Sequence, residues 1–244
     1  MSESVEGTWL ALPGRAPHRF PHAVRHKYMD VNYLEFMHEL AGLEYKPGQA
    51  FYPSDHEKAW AAKERSKIHG RVILWSLAGS AVHKTWPYLD EIIARLMLQH
   101  RDVHVILTGG PECAILETGW EAEPRVHRKC GVWSIRETLS FTQTVDMVIG
   151  PETGILNAAA FMDMPKVITL SHSSVENLTR DWVNTISLTP RNTDCYPCHQ
   201  LHYNFKFCRK DEAIGVAACQ SDIPADDMYK AIEQCLVPAQ LHSA

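Results

Sequence analysis

From Arg71 onward the chain alternates short apolar runs with longer helical patterns, and few folds tolerate that rhythm. The first run, Val72-Ile73-Leu74-Trp75-Ser76-Leu77, is too short for a helix and stops at Ala78-Gly79-Ser80. Runs of this length bounded by small residues read as buried strands. A helix over 87–99 follows, opened by Pro87, with Leu89, Ile92, Ile93, Leu96 and Met97 on one face. The cycle then repeats. A strand over 103–107 ends in Thr108-Gly109-Gly110, and a short helix follows Pro111. A third strand is expected over 126–129, then a helix led by Ser134, with Glu137 completing a capping box. A strand over 147–150, a small-residue helix over 154–162, a strand over 166–170 and a closing helix over 226–236 complete the series. Strands and helices in strict alternation with short connections form βαβ units. The expected fold is therefore α/β, a Rossmann-like doubly wound parallel sheet with helices on both faces.

The preceding stretch has a different texture. Residues 1–27 contain Pro13, Pro17 and Pro21 without a sustained period and read as irregular. Asp30 is expected to cap a helix over 31–41 that carries Val31, Leu34, Met37 and Leu40 and stops at Gly42. A turn-rich connector over 45–53 leads to a polar helix over 55–67, capped by Ser54. The chain thus divides into a helical and irregular segment, 1–70, and an α/β unit, 71–244.

Composition excludes some classes of function. A net charge of −5 argues against general nucleic-acid binding, which needs a basic face to displace counterions. No apolar run approaches the roughly 20 residues that span a bilayer. The N-terminal residues carry acidic side chains and no apolar core of a secretory signal, so the cytoplasm is the expected location. In that setting, seven cysteines point to metal binding or free thiols before disulfides.

Doubly wound sheets bind ligands at the carboxyl ends of their strands, and three of those ends are unusual here. The first, Gly79-Ser80-Ala81-Val82-His83-Lys84-Thr85-Trp86-Pro87, places one lysine among small residues just before a helix. Free N–H groups and a cation there suit a diphosphate. The second, Thr108-Gly109-Gly110-Pro111-Glu112, combines two glycines that admit close approach with a carboxylate able to accept from ribose hydroxyls. The third, Gly150-Pro151-Glu152-Thr153-Gly154, starts an alanine-rich helix that Thr153 can cap, with Asn157 one turn on. Taken alone, the first two loops read more readily as ordinary strand–helix connections, and the third reads equally well as one.

Their joint order is more specific. Ser80, Lys84-Thr85-Trp86-Pro87, Gly109-Gly110-Pro111-Glu112, Gly131 before the Ser134-led helix, Glu152-Thr153-Gly154 and Pro165 resemble family 9 glycosyltransferases over residues 31–236. These are the bacterial heptosyltransferase-like enzymes of lipopolysaccharide core assembly. The resemblance implies half of a GT-B fold and a nucleotide-diphosphate sugar donor, typically ADP-heptose. It also implies inverting transfer to a glycan or lipopolysaccharide-type acceptor hydroxyl, without a catalytic metal. It places Lys84 on the donor phosphates with Ser80 and Thr85 beside it, and Glu112 near the ribose. Gly131, Val132 and Trp133 would line an adenine pocket through their backbone. Glu152, Thr153 and Gly154 would meet the diphosphate and sugar. The family usually has Asp where this chain has Glu152, and His where it has Asn157. Its general base, an Asp early in the acceptor domain, has no counterpart that the sequence identifies here. Residues 1–70 correspond to the end of the acceptor domain and the linker. The chain is then part of an enzyme, or takes its acceptor half from a separate chain or a second copy, or is a nucleotide-sugar-binding module that does not transfer by itself.

One feature lies outside those loops. Cys195 and Cys198 form a C-x-x-C knuckle, and Cys208 and Cys219 can complete a four-sulfur structural site over 195–219. The resemblance extends to a cysteine-rich insertion that binds metal in some family members. Zinc is the chemical default, with iron second, and His199 and His202 are substitute ligands; free thiols in a loop are the alternative. Cys113, Cys130 and Cys235 read as isolated, buried thiols. His18, His22 and His26 recur every four residues, but Pro17 and Pro21 argue against a continuous helix there.

Overall fold

The structure is a computed structural model and describes residues 20–236. The strands are β1 (Arg71–Ser76), β2 (Val103–Thr108), β3 (Val126–Arg128), β4 (Met147–Pro151), β5 (Lys166–Thr169) and β6 (Thr185–Leu188). They form one six-stranded sheet in the order β3-β2-β1-β4-β5-β6. Every pairing is parallel. The order runs outward in both directions from β1 and β4, so the chain reverses direction across the sheet between those two strands. In such sheets a crevice opens at that point, above the carboxyl ends.

The period-two pattern of β1 builds both layers of the core. Ile73 and Trp75 face one cluster, with Ile92, Ile93, Leu96, Met228 and Ile232. Those partners come from helices α4 (Leu89–Gln99) and α8 (Ala225–Leu236). Val72 and Leu74 face the other cluster, with Phe141, Leu156, Ala159 and Ala160. These lie on or beside helices α5 (Ile135–Thr142) and α6 (Gly154–Ala159). Alternation along a strand puts successive side chains on opposite faces, so one strand serves two cores. Remaining helices are α1 (His22–Met29), α2 (Tyr33–Leu40) and α3 (Asp55–Arg65) ahead of the sheet, and α7 (Ala218–Ser221). Ser54 and Glu57 form a reciprocal capping box on α3, and Ser134 and Glu137 form one on α5. The indoles of Trp60 on α3 and Trp133 meet edge to face at 5.2 Å, which holds α3 against the sheet unit.

Several local expectations need correction. The 1–27 stretch is not wholly irregular: α1 begins directly after Pro21, whose extended backbone (ψ 146°) precedes the helix and breaks nothing within it. The expected irregular residues 1–19 and the tail beyond 236 lie outside the described residues, as does His18. Asn32, not Asp30, caps α2, its Oδ1 accepting from the N–H groups of Leu34 and Glu35 at 3.1 Å each. Asp30 is occupied elsewhere, accepting from the Ser174 hydroxyl. Helix α4 starts at Leu89 rather than at Pro87. Helix α6 stops at Ala159, short of the expected 162, because the buried Lys166 ammonium donates to the carbonyls of Met162 (2.6 Å) and Met164 (2.8 Å) and holds that stretch as a turn. Strand β6 was not foreseen; Thr-Ile-Ser-Leu is a four-residue, half-buried edge without a clear alternation. The Cys113 and Cys130 thiols are buried, but they are hydrogen-bonded to each other rather than isolated.

Candidate functional site

A cavity of about 570 Å³ opens above β1, β2 and β4, where the topology calls for a crevice. Its wall includes Ser80, Lys84, Gly109, Gly110, Glu112, Gly131, Trp133, Glu152, Thr153 and Gly154, so most of the residues singled out in three separate loops converge. Three do not line it. Thr85, whose backbone is bridged to Ala78, lines an adjoining cavity with Trp75 and Trp86. Val132 stands 66% exposed, outside the wall. Asn157 is turned inward: its amide donates to the Thr153 carbonyl at 2.9 Å, and its own carbonyl accepts from Gln49.

Lys84 is the cation of the cleft. Gly79 packs directly on its stem; a Cβ at position 79 would sit 2.6 Å from Lys84 Cδ. Among the described residues no carboxylate pairs with its ammonium and no hydrogen bond is made to it. Burial pushes the ammonium below its ordinary range, against the opposing pull of the Glu152 charge. A desolvated cation without a partner, in a cleft large enough for a ligand, is a ready place for an anion.

The start of α6 completes that place. Helices leave their first N–H groups unsatisfied, and in α6 the first intrahelical bond is made by Asn157, to the Thr153 carbonyl. Thr153 occupies the N-cap without capping: its hydroxyl instead lies 3.2 Å from Ser76 Oγ, tying the end of β1 to the start of α6. The N–H groups of Gly154 and Ile155 therefore stay open. Nothing lies within 4 Å of where a Cβ on Gly154 would stand, so ligand can approach the backbone there.

Glu152 is 3% exposed and both its oxygens are engaged. Oε2 accepts from Ser171 Oγ (2.6 Å) and from the His172 ring, and Oε1 accepts from the Ser173 N–H (2.9 Å). Burial by itself raises this carboxyl. His172 and the hydrogen bonds from His172 and Ser171, with Lys84 beyond them, outweigh it and hold the group below the usual carboxylate range. Glu152 thus supplies negative charge to the cleft wall while its lone pairs bind the 171–173 loop. His83 continues the chain of bonds, its Nδ1 2.7 Å from Ser171 Oγ. Because the Ser171 hydroxyl proton goes to Glu152, His83 donates from Nδ1 and leaves Nε2 as the unprotonated nitrogen. Burial, with the neighbouring His172, drives His83 down to about 3, so it stays neutral. Neither His83 nor the Ser171-His172-Ser173 loop was singled out from sequence. The loop follows β5 at the same carboxyl edge as the other three, and that position was the available signal. Thr108, the first residue of the second loop, lines the cleft too, as do Ser76 and Thr138, which were missed.

Opposite Lys84, Gly131 adopts the left-handed backbone (φ 68°), and a Cβ there would lie 2.9 Å from the Pro111 Cα. The N–H groups of 131–133 are all spent: Gly131 donates to the Gly109 carbonyl at 3.0 Å, and Val132 and Trp133 donate to that of Lys129. What this wall offers a ligand is carbonyl oxygen and the Trp133 ring. Glu112 stands at the rim, exposed and without an ion pair among the described residues.

The family model for glycosyltransferase family 9 (heptosyltransferase) matches residues 14–207. The chain belongs to that family. Solved structures agree on the fold. A family 9 glycosyl transferase from Veillonella parvula aligns with TM-score 0.60 at 15% identity, over 81% of this chain and 57% of its own. E. coli ADP-heptose LPS heptosyltransferase II aligns with TM-score 0.56 at 12% identity, over 79% of this chain and 55% of its own. The dodecameric iron-containing heptosyltransferase TibC, solved with ADP-D-beta-D-heptose, aligns with TM-score 0.57 at 14% identity, over 85% of this chain and 55% of its own. This family 9 chain therefore spans a little over half the length of each of these structures. No curated protein matches it by sequence.

Cys195, Cys198, Cys208 and Cys219 all line one small cavity, with His202 and Arg25, but no three of their sulfur atoms lie within 4.8 Å of one another. Cys198 Sγ lies 3.9 Å from His202 Nε2, whereas His199 is absent from that wall. Burial raises the Cys198 thiol to about 12 and the Cys208 thiol to about 11. Among the described residues, no helix is long and apolar enough to cross a membrane.

Proposed function

We propose that residues 71–236 are the donor half of an inverting glycosyltransferase that binds a nucleoside-diphosphate sugar of the ADP-heptose type. The observation that carries this reading is the unpaired, half-buried Lys84 ammonium, set in the same cleft as the open N–H groups at Gly154. A diphosphate between them gains a cation and a helix N-terminus at once. As the bond to the sugar breaks, charge builds on the leaving diphosphate, and both groups favour that charge; this is the electrostatic part of catalysis. Adenine suits the opposite wall, because its exocyclic amino group is a donor and the 131–133 backbone has carbonyls to spare. Glu112 at the rim is placed to accept from ribose hydroxyls.

The acceptor is a glycan or lipopolysaccharide-type hydroxyl, and the base that deprotonates it comes from the acceptor half. A second reading, a nucleotide-sugar-binding module without transfer, is favoured by one observation. The buried carboxylate of the cleft has both oxygens engaged, and a general base needs a free one. We further propose that zinc or iron sits among Cys195, Cys198, Cys208 and Cys219 as a structural tie. Four thiols around one cavity, Cys198 and Cys219 buried, Cys208 half-buried and Cys195 exposed, offer a soft cation its ligands, and TibC carries iron. A cytoplasmic setting accords with seven free cysteines. Calorimetry with ADP, UDP and GDP tests the donor site: ADP binding with a preference over the others supports it, and the absence of any nucleotide binding refutes it. Turnover of ADP-heptose with an acceptor then separates the two readings.

A further inference from the structure

Helix α1 is held to the cysteine-rich loop by polar contacts more than by packing. Its apolar anchorage is Phe20 and Met29, with Val24 beside them. The rest is hydrogen bonding: the His22 ring to the Pro197 carbonyl at 3.0 Å and Arg25 Nε to the Cys198 carbonyl at 2.8 Å. At this junction two segments far apart in sequence bring together His26, Asp30 and His199. One ligand atom from each lies within 4.8 Å of the others. His199 adopts the left-handed backbone (φ 49°), which aims its ring away from the cysteine cavity and toward Asp30.

The ring of His199 carries the argument. Its side chain is 3% exposed, and its Nε2 has no hydrogen-bond partner, with Asp30 Oδ1 at 3.5 Å. A buried polar nitrogen left in that condition is unfavourable until something binds it. Asp30, for its part, has no lysine or arginine ion pair among the described residues; the nearby Arg25 guanidinium is spent on the carbonyls of Phe20 and Cys198. The Ser174 hydroxyl donates to Asp30 Oδ1 and fixes the carboxylate's orientation, the kind of outer support that metal-binding carboxylates have. The exposed His26 ring stacks on His199 with centroids 6.1 Å apart.

We infer that His26, Asp30 and His199 bind a divalent cation, zinc by preference, at a site separate from the four cysteines. Two imidazoles and one carboxylate are a nitrogen–oxygen set that zinc accepts, with water in the fourth position. Ligands at about 2.0–2.1 Å from one ion stand no more than about 4.2 Å apart. The remaining closure falls to His26, the exposed ring of the three, which lies stacked on both His22 and His199. The bound ion satisfies His199 Nε2, neutralises Asp30 and bolts α1 to the loop that follows the C-x-x-C pair.

The test is zinc content of the full chain after equilibrium dialysis, measured by elemental analysis. His26→Ala and Asp30→Asn are each expected to lose one zinc equivalent relative to wild type, and adding His26→Ala to Cys195→Ser is expected to lose one equivalent beyond that of Cys195→Ser. Hydrogen exchange gives an independent reading: zinc is expected to slow amide exchange across 22–29 in wild type and not in His26→Ala. Equal zinc content in wild type and in both variants would overturn the assignment. So would a wild-type α1 whose exchange zinc leaves unchanged.

Discussion

Lys84→Met separates a ligand-binding lysine from a structural one, because the two roles predict opposite signs. Methionine keeps the unbranched stem that packs on Gly79 and removes the charge. In the folded protein burial lowers the lysine below its ordinary 10.5, so the cation is less favourable folded than unfolded. The sign follows from that direction. The penalty is full below the folded value, fades as pH rises toward 10.5 and is gone above it. At neutral pH the substitution removes the penalty, and the variant is expected to be as stable as wild type or more so. The opposing term is small, since Glu152 keeps Ser171, His172 and the Ser173 N–H, and Lys84 is the last of the groups that stabilise its charge.

Binding should move the other way. A hydrogen bond to a charged group contributes about 1.5–3 kcal/mol, which is roughly a 10- to 150-fold loss in ADP affinity. Urea denaturation and ADP calorimetry on the same two proteins measure both. A variant that melts earlier and binds ADP like wild type would show Lys84 to be a structural residue and refute the reasoning.

Other substitutions probe the remaining walls. Gly154→Val has open space for its side chain, so it is expected to leave the denaturation midpoint near wild type and to cut ADP affinity at least tenfold by occupying the diphosphate's place. Glu152→Gln unsettles the 171–173 loop and should cost about 3–5 kcal/mol in urea denaturation. Because the native carboxyl is held below its ordinary 4.5, its stabilisation is full above that pH and lost as pH falls through the folded value; the gap between wild type and Glu152→Gln should close in acid. Cys198→Ser is expected to lower bound zinc or iron and to leave ADP affinity unchanged, which elemental analysis and calorimetry check side by side.

The sheet was legible because its signal is redundant. Val72, Ile73, Leu74 and Trp75 are apolar on both faces, as a strand covered by helices on each side must be, and the parallel order follows from the alternation. Strand β6 escaped because an edge strand buries only half of each side chain and is not obliged to be apolar. The capping boxes at Ser54 and Ser134 were legible because both partners lie within one turn of sequence. Asn32 was missed in favour of Asp30 because either residue caps well. What decided between them was Ser174, far along the chain, which engages Asp30.

The same distinction runs through the cleft. Lys84, Gly110 and Gly154 were located by the joint order of three loops, since each loop by itself also reads as an ordinary strand–helix connection. Which way a side chain points is a different kind of information. Glu152 reads from sequence as a carboxylate facing a ligand, yet its oxygens belong to Ser171, His172 and Ser173 some twenty residues on. The 171–173 loop is placed by the pairing of β5 with β4, which sets Pro151 beside Thr169 and so brings the residues after each strand to the same height. A longer carboxylate than the family's usual aspartate reaches that loop by one more methylene. Position 152 therefore keeps its negative charge in the cleft wall while its lone pairs serve the 171–173 loop. Lys84 and the open backbone of Gly154 are left as the groups free to meet the proposed donor.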